Sequence, residues 1–286
     1  MKPAGFAYHA PRSLGECLDL LVRHGEDAKL LAGGQSLVPL MNLRLARPEV
    51  VIDLGRVEGL SGLRLREGFL EIGPMIRHAD IAGSELVAAN CPLLAAASAV
   101  IGYPAIRNRG TIGGSLAHAD PAAELPCVAV TLDAEFEVTG PRGARTIPAA
   151  GFFVSHFVSA LEADEVLTAV RVPVQTQRTW GFEEFARKSG DFALSAVAVD
   201  LATTAGAVPR TRIGVAGLGP RPLRATATEY TLSSTPPADV VAADVGRAVR
   251  DEIGGQTSDA ERRHLVETLV ARAWTAALDR MGDRRE

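Results

Sequence analysis

The apolar residues change their period near Leu60, and that change constrains the fold more than any other feature of the chain. Before it, Leu14, Leu18, Leu21 and Val22 recur at helical spacing, which gives a helix one apolar face. Pro11-Arg12-Ser13-Leu14-Gly15-Glu16 opens this helix as a capping box, Ser13 bonding the N3 amide and Glu16 reaching back, and Gly25 closes it. After Leu60 the pattern alternates. Leu63-Arg64-Leu65-Arg66, the turn Glu67-Gly68 and Phe69-Leu70-Glu71-Ile72-Gly73 read as a hairpin. Runs of strands followed by runs of helices argue an α+β fold rather than a doubly wound sheet.

The remaining elements follow the same logic. A strand at Lys29–Ala32, a tight glycine turn, a helical piece at Val38–Leu45 stopped by Pro48, and the buried strand Val50-Val51-Ile52-Asp53-Leu54 make a small β-α-β unit. Helices are predicted at Ala79–Ala89 and Pro92–Ile101. A glycine-rich stretch, Gly102 to Ala119, then leads to Asp120-Pro121, which reads as an N-cap with proline at N1. Glu135–Thr139 and Ala144–Ile147 flank Gly140-Pro141-Arg142-Gly143 as a second hairpin, and Val166–Val172 is a strand closed by Pro173. The polar segment Pro173–Thr179 reads as a linker. Beyond it lie strands at Trp180–Arg187, Ser195–Ala202 and Arg210–Gly217, the loop Ser233–Pro237, and two helices, the last opened by a second capping box, Ser258-Asp259-Ala260-Glu261.

Composition narrows the functions available. The 286 residues are 47% apolar, enough for a substantial core, and the net charge of −4 leaves no basic footprint for nucleic acid. Lysine stands only at positions 2, 29 and 188, and Arg107-Asn108-Arg109 is the one local basic cluster. The first residues have no apolar stretch of the signal-peptide kind, and the longest apolar run, Leu93 to Gly102, is about half of what a bilayer requires. A cytoplasmic protein without a membrane span is expected. Cys17, Cys91 and Cys127 are isolated. His9, His24, His78, His118, His156 and His264 are scattered with no H-E-x-x-H. No metal site and no Ser-His-Asp or Cys-His catalytic set is expected in this chain.

Two segments stand apart: Ala32-Gly33-Gly34-Gln35-Ser36 and Thr111-Ile112-Gly113-Gly114-Ser115. Glycine pairs alone say nothing, because 28 glycines in 286 residues give about three pairs by chance and the chain has three. Context separates these two from Gly254-Gly255. Each has hydroxyl residues beside it, and each leads toward a helix. Glycine permits positive φ and close approach of main chain to a ligand; successive free amides then make an anion-binding concavity. Two such turns could grip a diphosphate from two sides, or be ordinary turns. Neither is a P-loop, since no Gly-Lys-Ser/Thr follows, and neither is G-x-G-x-x-G.

Longer strings carry a resemblance. Leu30-Leu31-Ala32-Gly33-Gly34-Gln35-Ser36-Leu37, Ile106-Arg107-Asn108-Arg109-Gly110-Thr111-Ile112-Gly113-Gly114-Ser115 and His118-Ala119-Asp120-Pro121-Ala122-Ala123-Glu124-Leu125-Pro126 closely resemble the FAD-binding medium subunit of the molybdenum hydroxylases, the carbon monoxide dehydrogenase and xanthine dehydrogenase family. Phe6-x-Tyr8-x-x-Pro11-x-Ser13-Leu14, Val51-Ile52-Asp53-Leu54 and Arg187-Lys188-Ser189-Gly190-Asp191-Phe192-Ala193 are similar to it as well. The resemblance implies a two-lobed FAD domain of the vanillyl-alcohol-oxidase (PCMH) type, residues 1–57 and 58–175, then a smaller α+β domain, residues 176–286. It implies FAD as the cofactor, with the pyrophosphate at Ala32, Gly33, Gly34, Gln35, Ser36 and Leu37 and at Thr111, Ile112, Gly113, Gly114 and Ser115. Glu124 falls on the adenosine side, and Lys188, Asp191 and Phe192 approach the flavin from the C-terminal half.

The resemblance also implies partners. Electrons pass from a large molybdenum–pterin subunit through 2Fe–2S clusters on a small subunit to FAD on this chain, then to an acceptor such as NAD or a quinone, in a dimer of heterotrimers. Gln35 stands where relatives often carry histidine, and Ser115 where asparagine is common; both keep hydrogen-bonding capacity. A stand-alone FAD oxidase of the same fold and a non-catalytic nucleotide-binding protein are the alternatives. Other residues read as structural: Asp120 as the helix cap, His78 and His118 as polar loop residues, Tyr103 as seating its loop, Arg107 as bonding backbone or offsetting charge, and Trp180, Phe182 and Phe185 as strand packing.

Overall fold

The strand Val50-Val51-Ile52 has no polar side to offer water, and the structure, a computed structural model describing residues 2–188, 190–203 and 211–283, places it at the centre of a sheet. The first lobe contains β1 (Ala7–His9), α1 (Leu14–His24), β2 (Ala28–Leu31), α2 (Leu37–Asn42) and β3 (Val50–Asp53). β3 lies between β1 and β2, parallel to both. Ser13 caps α1 by accepting from the Glu16 amide at 3.2 Å, and Glu16 reaches back to the Arg12 amide at 2.8 Å. The helix read at Val38–Leu45 ends earlier, at Asn42, where Leu43 caps it.

The second lobe is a five-stranded antiparallel sheet with helices. Its elements are β4 (Leu63–Arg66), β5 (Phe69–Ile72), α3 (His78–Ala82), α4 (Glu85–Asn90), α5 (Pro92–Val100), α6 (Pro104–Arg107), α7 (Ile112–His118), α8 (Glu124–Thr131), β6 (Glu135–Gly140), β7 (Gly143–Pro148), α9 (Ala149–Phe152), β8 (Phe153–Ser155), β9 (Val158–Ser159) and β10 (Val166–Pro173). The sheet order is β4-β5-β10-β6-β7, with β8 and β9 a separate small hairpin. Both residues of the Glu67-Gly68 turn have positive φ, 52° and 81°, as a two-residue hairpin turn requires. The single helix read at Ala79–Ala89 is two. Gly83 ends α3, and the Ser84 hydroxyl accepts from the Val87 amide at 3.3 Å to start α4.

The C-terminal part contains β11 (Arg178–Phe185), β12 (Ser195–Ala202), β13 (Thr211–Ala216), β14 (Leu223–Arg224), α10 (Thr226–Thr231), α11 (Ala242–Ile253) and α12 (Ala260–Asp283). The four strands form one antiparallel sheet in sequence order. Arg210, expected to begin the third strand, lies outside the described residues. Every residue of β12 is buried. Ala196 and Ala198 join the core of the second lobe, where α8 packs, while Val197, Val199 and Leu201 face α11 and α12. Small residues on one face and large ones on the other let the sheet lie close to α8. A Cβ on Gly214 would overlap the Thr131 hydroxyl.

The two parts of the chain therefore share a core. Ionic contacts reinforce the join. Asp200, fully buried, accepts from Gln175 Nε2 at 3.0 Å, Arg178 Nε at 2.6 Å and Arg212 Nη1 at 3.1 Å. Arg224 donates to the Val130 carbonyl at 2.9 Å and to Asp133 at 2.7 Å. Two expectations are corrected here. Phe185 is 46% exposed, because it has the opposite parity to Trp180 and Phe182. α12 is capped by Asp259, whose Oδ1 accepts from the Glu261 and Arg262 amides at 2.9 and 3.1 Å, and not by Ser258.

Candidate functional site

The two glycine segments meet at the junction of the first and second lobes. A Cβ on Gly33 would stand 2.7 Å from the Gly110 Cα and 2.9 Å from the Arg109 carbonyl carbon. Only glycine lets the loop after β2 lie against the chain entering α7. A Cβ on Gly114 would lie 3.0 Å from Thr111 Oγ1, 3.4 Å from the Ala32 Cβ and 4.0 Å from the Gly33 nitrogen. Gly113 is pressed on Pro74, with its Cβ position 2.8 Å from the Pro74 Cα.

The first segment leaves its donors free. The amides of Gly33, Gly34, Gln35, Ser36 and Leu37 have no acceptor among the described residues, although all five residues are half-buried. Gly34 sits at φ +74°, which turns the chain between β2 and α2. The Gln35 side chain folds back and donates from Nε2 to the Gly33 carbonyl at 2.9 Å, bracing the turn. Unpaired N–H groups at a half-buried turn need an acceptor from outside the chain, and an anion supplies one.

The second segment is built differently from the first. Four of its five amides are engaged within the chain: Ile112 donates to Ile76 O at 3.0 Å, Gly113 to Pro74 O at 2.9 Å, Gly114 to Thr111 Oγ1 at 3.1 Å and Ser115 to Thr111 O at 3.0 Å. This stretch is the first turn of α7, N-capped by Thr111, and not a free loop. It presents the Ser115 side chain and, at Gly114 beside Ala32 and Gly33, a surface without a side chain, while Gly113 is buried against Pro74.

His78 stands behind the junction. It was expected in a polar loop, but it starts α3 and is only 4% exposed. Its N–H donates to Gly110 O at 3.0 Å, and a Cβ on Gly110 would come within 2.8 Å of its ring. Nδ1 has no partner among the described residues. Burial, helped by the Arg107 charge, lowers its pKa to about 4, so the ring is neutral. Arg107 itself bonds backbone, donating to Ile101 O at 3.0 Å and Gly102 O at 2.8 Å.

Comparison with known proteins decides what such a junction belongs to. Residues 4–175 match the family of the FAD binding domain in molybdopterin dehydrogenase, and residues 180–277 match the CO dehydrogenase flavoprotein C-terminal domain. The chain belongs to the FAD-binding medium subunits of the molybdenum hydroxylases. It is 40% identical over 282 residues to the carbon monoxide dehydrogenase medium chain of Hydrogenophaga pseudoflava, covering 97% of this chain and 98% of that one. It is 42% identical over 276 residues to the nicotine 6-hydroxylase medium subunit of Paenarthrobacter nicotinovorans, covering 95% and 97%. A solved carbon monoxide dehydrogenase of Hydrogenophaga pseudoflava, a form lacking the Mo-pyranopterin moiety of the molybdenum cofactor, superposes with a TM-score of 0.92 at 38% identity, covering 98% and 99%.

As a medium subunit, the chain is part of an oxidoreductase whose cofactor here is FAD. The α+β class and the order of an FAD-binding domain before a flavoprotein C-terminal domain agree with the sequence reading. The five free amides, with Gly114 beside them, fit a diphosphate. Among the described residues no cluster of three or more His, Cys, Asp or Glu is arranged to hold a metal ion, and no helix is long and apolar enough to cross a membrane. Cys17, Cys91 and Cys127 are free and buried, and burial pushes their thiols up to about 11, 12 and 12.

Glu124 is the first residue of α8 in this medium subunit, and Asp120 does not cap that helix as expected. Ala123 is the cap residue, and Asp120 Oδ1 instead accepts from the Ala122 amide at 2.9 Å in a local turn. Burial, with smaller contributions from the negative charges of Glu184 and Asp120, raises the Glu124 carboxyl to about 7. Glu184 was missed in the sequence. Its parity in β11 places it with Trp180 and Phe182 on the face toward the second lobe, so the strand pattern could have found it. Its Oε2 is buried without a partner, and burial raises its pKa too. His118 packs against Phe157, ring centroids 5.0 Å apart.

Lys188, Asp191 and Phe192 lie on the turn between β11 and β12. All three are exposed, Phe192 at 83%, and the Asp191 amide donates to Lys188 O at 3.1 Å. Ser189 lies outside the described residues. The fold thus joins Ala32–Leu37 directly to Gly110–Gly114. Glu124 faces Glu184, near the end of β11 from which the turn springs.

Proposed function

We propose that this chain is the FAD-carrying electron-transfer subunit of a molybdenum hydroxylase, working between a small subunit with 2Fe–2S clusters and an external acceptor. The large partner would carry the molybdenum–pterin centre where substrate is oxidised, and two such sets would assemble as a dimer of heterotrimers in the cytoplasm. The observation that carries the reading is the run of five unpaired amides, Gly33 to Leu37, laid against glycine-lined backbone.

Each residue group has a task in this reading. The amides of Gly33–Leu37 hold the cofactor diphosphate, and the Ser36 and Ser115 hydroxyls add donors. Gln35 keeps the turn rigid through its bond to Gly33 O. Glu124, its carboxyl raised to about 7 by burial, offers an acceptor to the adenosine end and, in its protonated form, an O–H as well. Lys188, Asp191 and Phe192 complete the site from the C-terminal half. Bound there, FAD supplies redox chemistry able to take up electrons singly or in pairs. The chain contributes binding and orientation, with no acid–base catalyst of its own.

The substrate is set elsewhere. Similar levels of identity, 40% and 42%, to medium subunits named for carbon monoxide and for nicotine support that reading. Native purification with metal and flavin analysis tests the reading. One noncovalent FAD per chain, released by acid, should accompany a larger molybdenum-containing and a smaller iron–sulfur chain. A folded chain that takes up no flavin, or flavin that stays with acid-precipitated protein, overturns it.

A further inference from the structure

Tyr103 and Gly190 come from different halves of the chain and touch. Gly190 has φ +83°, and a Cβ on it would stand 2.7, 2.8 and 2.9 Å from Tyr103 Cε1, Cζ and Cδ1. Three ring atoms at nearly equal range mean that one whole side of the ring lies along the glycine. A side chain at position 190 would have to push the ring aside, and the backbone conformation would strain it as well. Tyr103 is nonetheless 52% exposed, so it is not there to fill the core.

The backbone beneath Tyr103 is held firmly. Its carbonyl accepts from the Ile106 and Arg107 amides at 2.8 and 3.1 Å, and Pro104 fixes the first turn of α6. Arg107 ties the same turn down through its bonds to Ile101 O and Gly102 O. α6 then runs into Gly110, whose amide donates to Ile106 O at 2.7 Å and whose Cα abuts Gly33. One short, braced piece of chain therefore connects the Lys188–Phe192 turn to the glycine junction.

We propose that Tyr103 is a positioning residue: its ring seats Gly190 and so fixes the Lys188–Phe192 turn relative to the glycine junction where the cofactor is held. The inference rests on the FAD reading given under Proposed function for its consequence, though not for the contact itself. Ring area does the seating. No hydrogen bond involves the Tyr103 hydroxyl among the described residues, so phenylalanine should serve as well. Losing the seat frees Lys188 and weakens the hold on FAD, because the C-terminal side of the site no longer has a fixed place.

Lysine-specific proteolysis of the full-length chain reads the seat without any cofactor. Only Lys2, Lys29 and Lys188 can be cut, and Lys29, in β2, serves as the internal reference. In the FAD-free protein, Tyr103→Ala should be cut after Lys188 about tenfold faster than the wild type, with the cut at Lys29 unchanged. Tyr103→Phe should match the wild type, and Gly190→Ala should match Tyr103→Ala, since it breaks the same contact from the other side. Flavin fluorescence titration of the same proteins should show FAD binding about tenfold weaker for Tyr103→Ala and Gly190→Ala only. Equal cutting of Tyr103→Ala and wild type at Lys188 would overturn the seat. Faster cutting with unaltered FAD affinity would overturn its role toward the cofactor. Failure of the wild type to bind FAD would instead overturn the reading of the site, while the proteolysis would still decide the contact.

Discussion

Gly33 and Gly110 lie so close that a Cβ on the first would stand 2.7 Å from the Cα of the second, backbone against backbone with no flexible side chain to yield. Gly114, by contrast, would meet the Thr111 hydroxyl at 3.0 Å and the Ala32 methyl at 3.4 Å, both able to shift slightly. The two positions should separate in experiment. Gly33→Ala should destabilise the chain by about 1–3 kcal/mol, the usual cost of overpacking, and lose FAD. Gly114→Ala should cost less than about 1 kcal/mol, because alanine also favours the helix, while still weakening FAD binding. Thermal unfolding of the FAD-free proteins, beside a flavin titration, checks both. Equal unfolding costs would mean that the Gly33 contact does not carry the lobe junction.

His78 gives the junction a pH dependence. Its native pKa of about 4 lies below its ordinary 6.5, so between those values the unfolded chain binds the proton and the native chain does not. Stability from this group is full above pH 6.5 and is lost as pH falls toward 4, by roughly 3 kcal/mol at most. His78→Gln, neutral throughout, should remove this slope. The gap in melting temperature between wild type and variant should narrow steadily from pH 7 to pH 5. A constant gap would show that His78 titrates normally in the native state.

Glu124 has the opposite sign. Its native pKa of about 7 lies above the ordinary 4.5, so the native chain holds the proton longer. Its stability contribution is full below pH 4.5 and is lost as pH rises through 7. In the FAD-free chain, Glu124→Gln should therefore raise stability by about 1–3 kcal/mol at pH 8 and change little at pH 4.5. Denaturant unfolding at the two pH values measures this. An unchanged stability at pH 8 would place Glu124 in solvent rather than beside Glu184.

These particulars show which parts of the molecule were legible beforehand. β3 and β12 were, because an unbroken apolar run has nowhere to go except between two layers. The strand Ala7–His9 was not. It has three residues, no apolar alternation, and a partner, β3, more than forty residues away in sequence. Asp120 misled because Asp-Pro is a genuine helix opening, yet here the local turn to Ala122 uses its carboxylate first. The glycine segments were visible through their neighbours. Their division of labour was not, because the acceptors that occupy the Ile112 and Gly113 amides, Ile76 and Pro74, are brought there by the tertiary fold. Tyr103 against Gly190 is the extreme case, a contact between the second lobe and the C-terminal part that no local pattern encodes.

The last expectation concerns where substrate is oxidised. No described residues are grouped to hold a metal ion, the three cysteines are buried with thiols raised far above neutrality, and His78 is neutral with its imidazole sealed behind Gly110. Substrate activation is therefore expected on another subunit. The isolated, FAD-loaded subunit should stay oxidised when mixed with small aldehydes, purines, N-heterocycles such as nicotine, or carbon monoxide. Dithionite should still bleach it, since that reaction needs only the cofactor. Adding the cognate large and small subunits should make the same flavin band bleach with substrate on the timescale of turnover. Stopped-flow absorbance at the flavin band measures all three cases. Rapid bleaching of the isolated subunit by any of these compounds would move the oxidation site into this chain and make it a stand-alone oxidase.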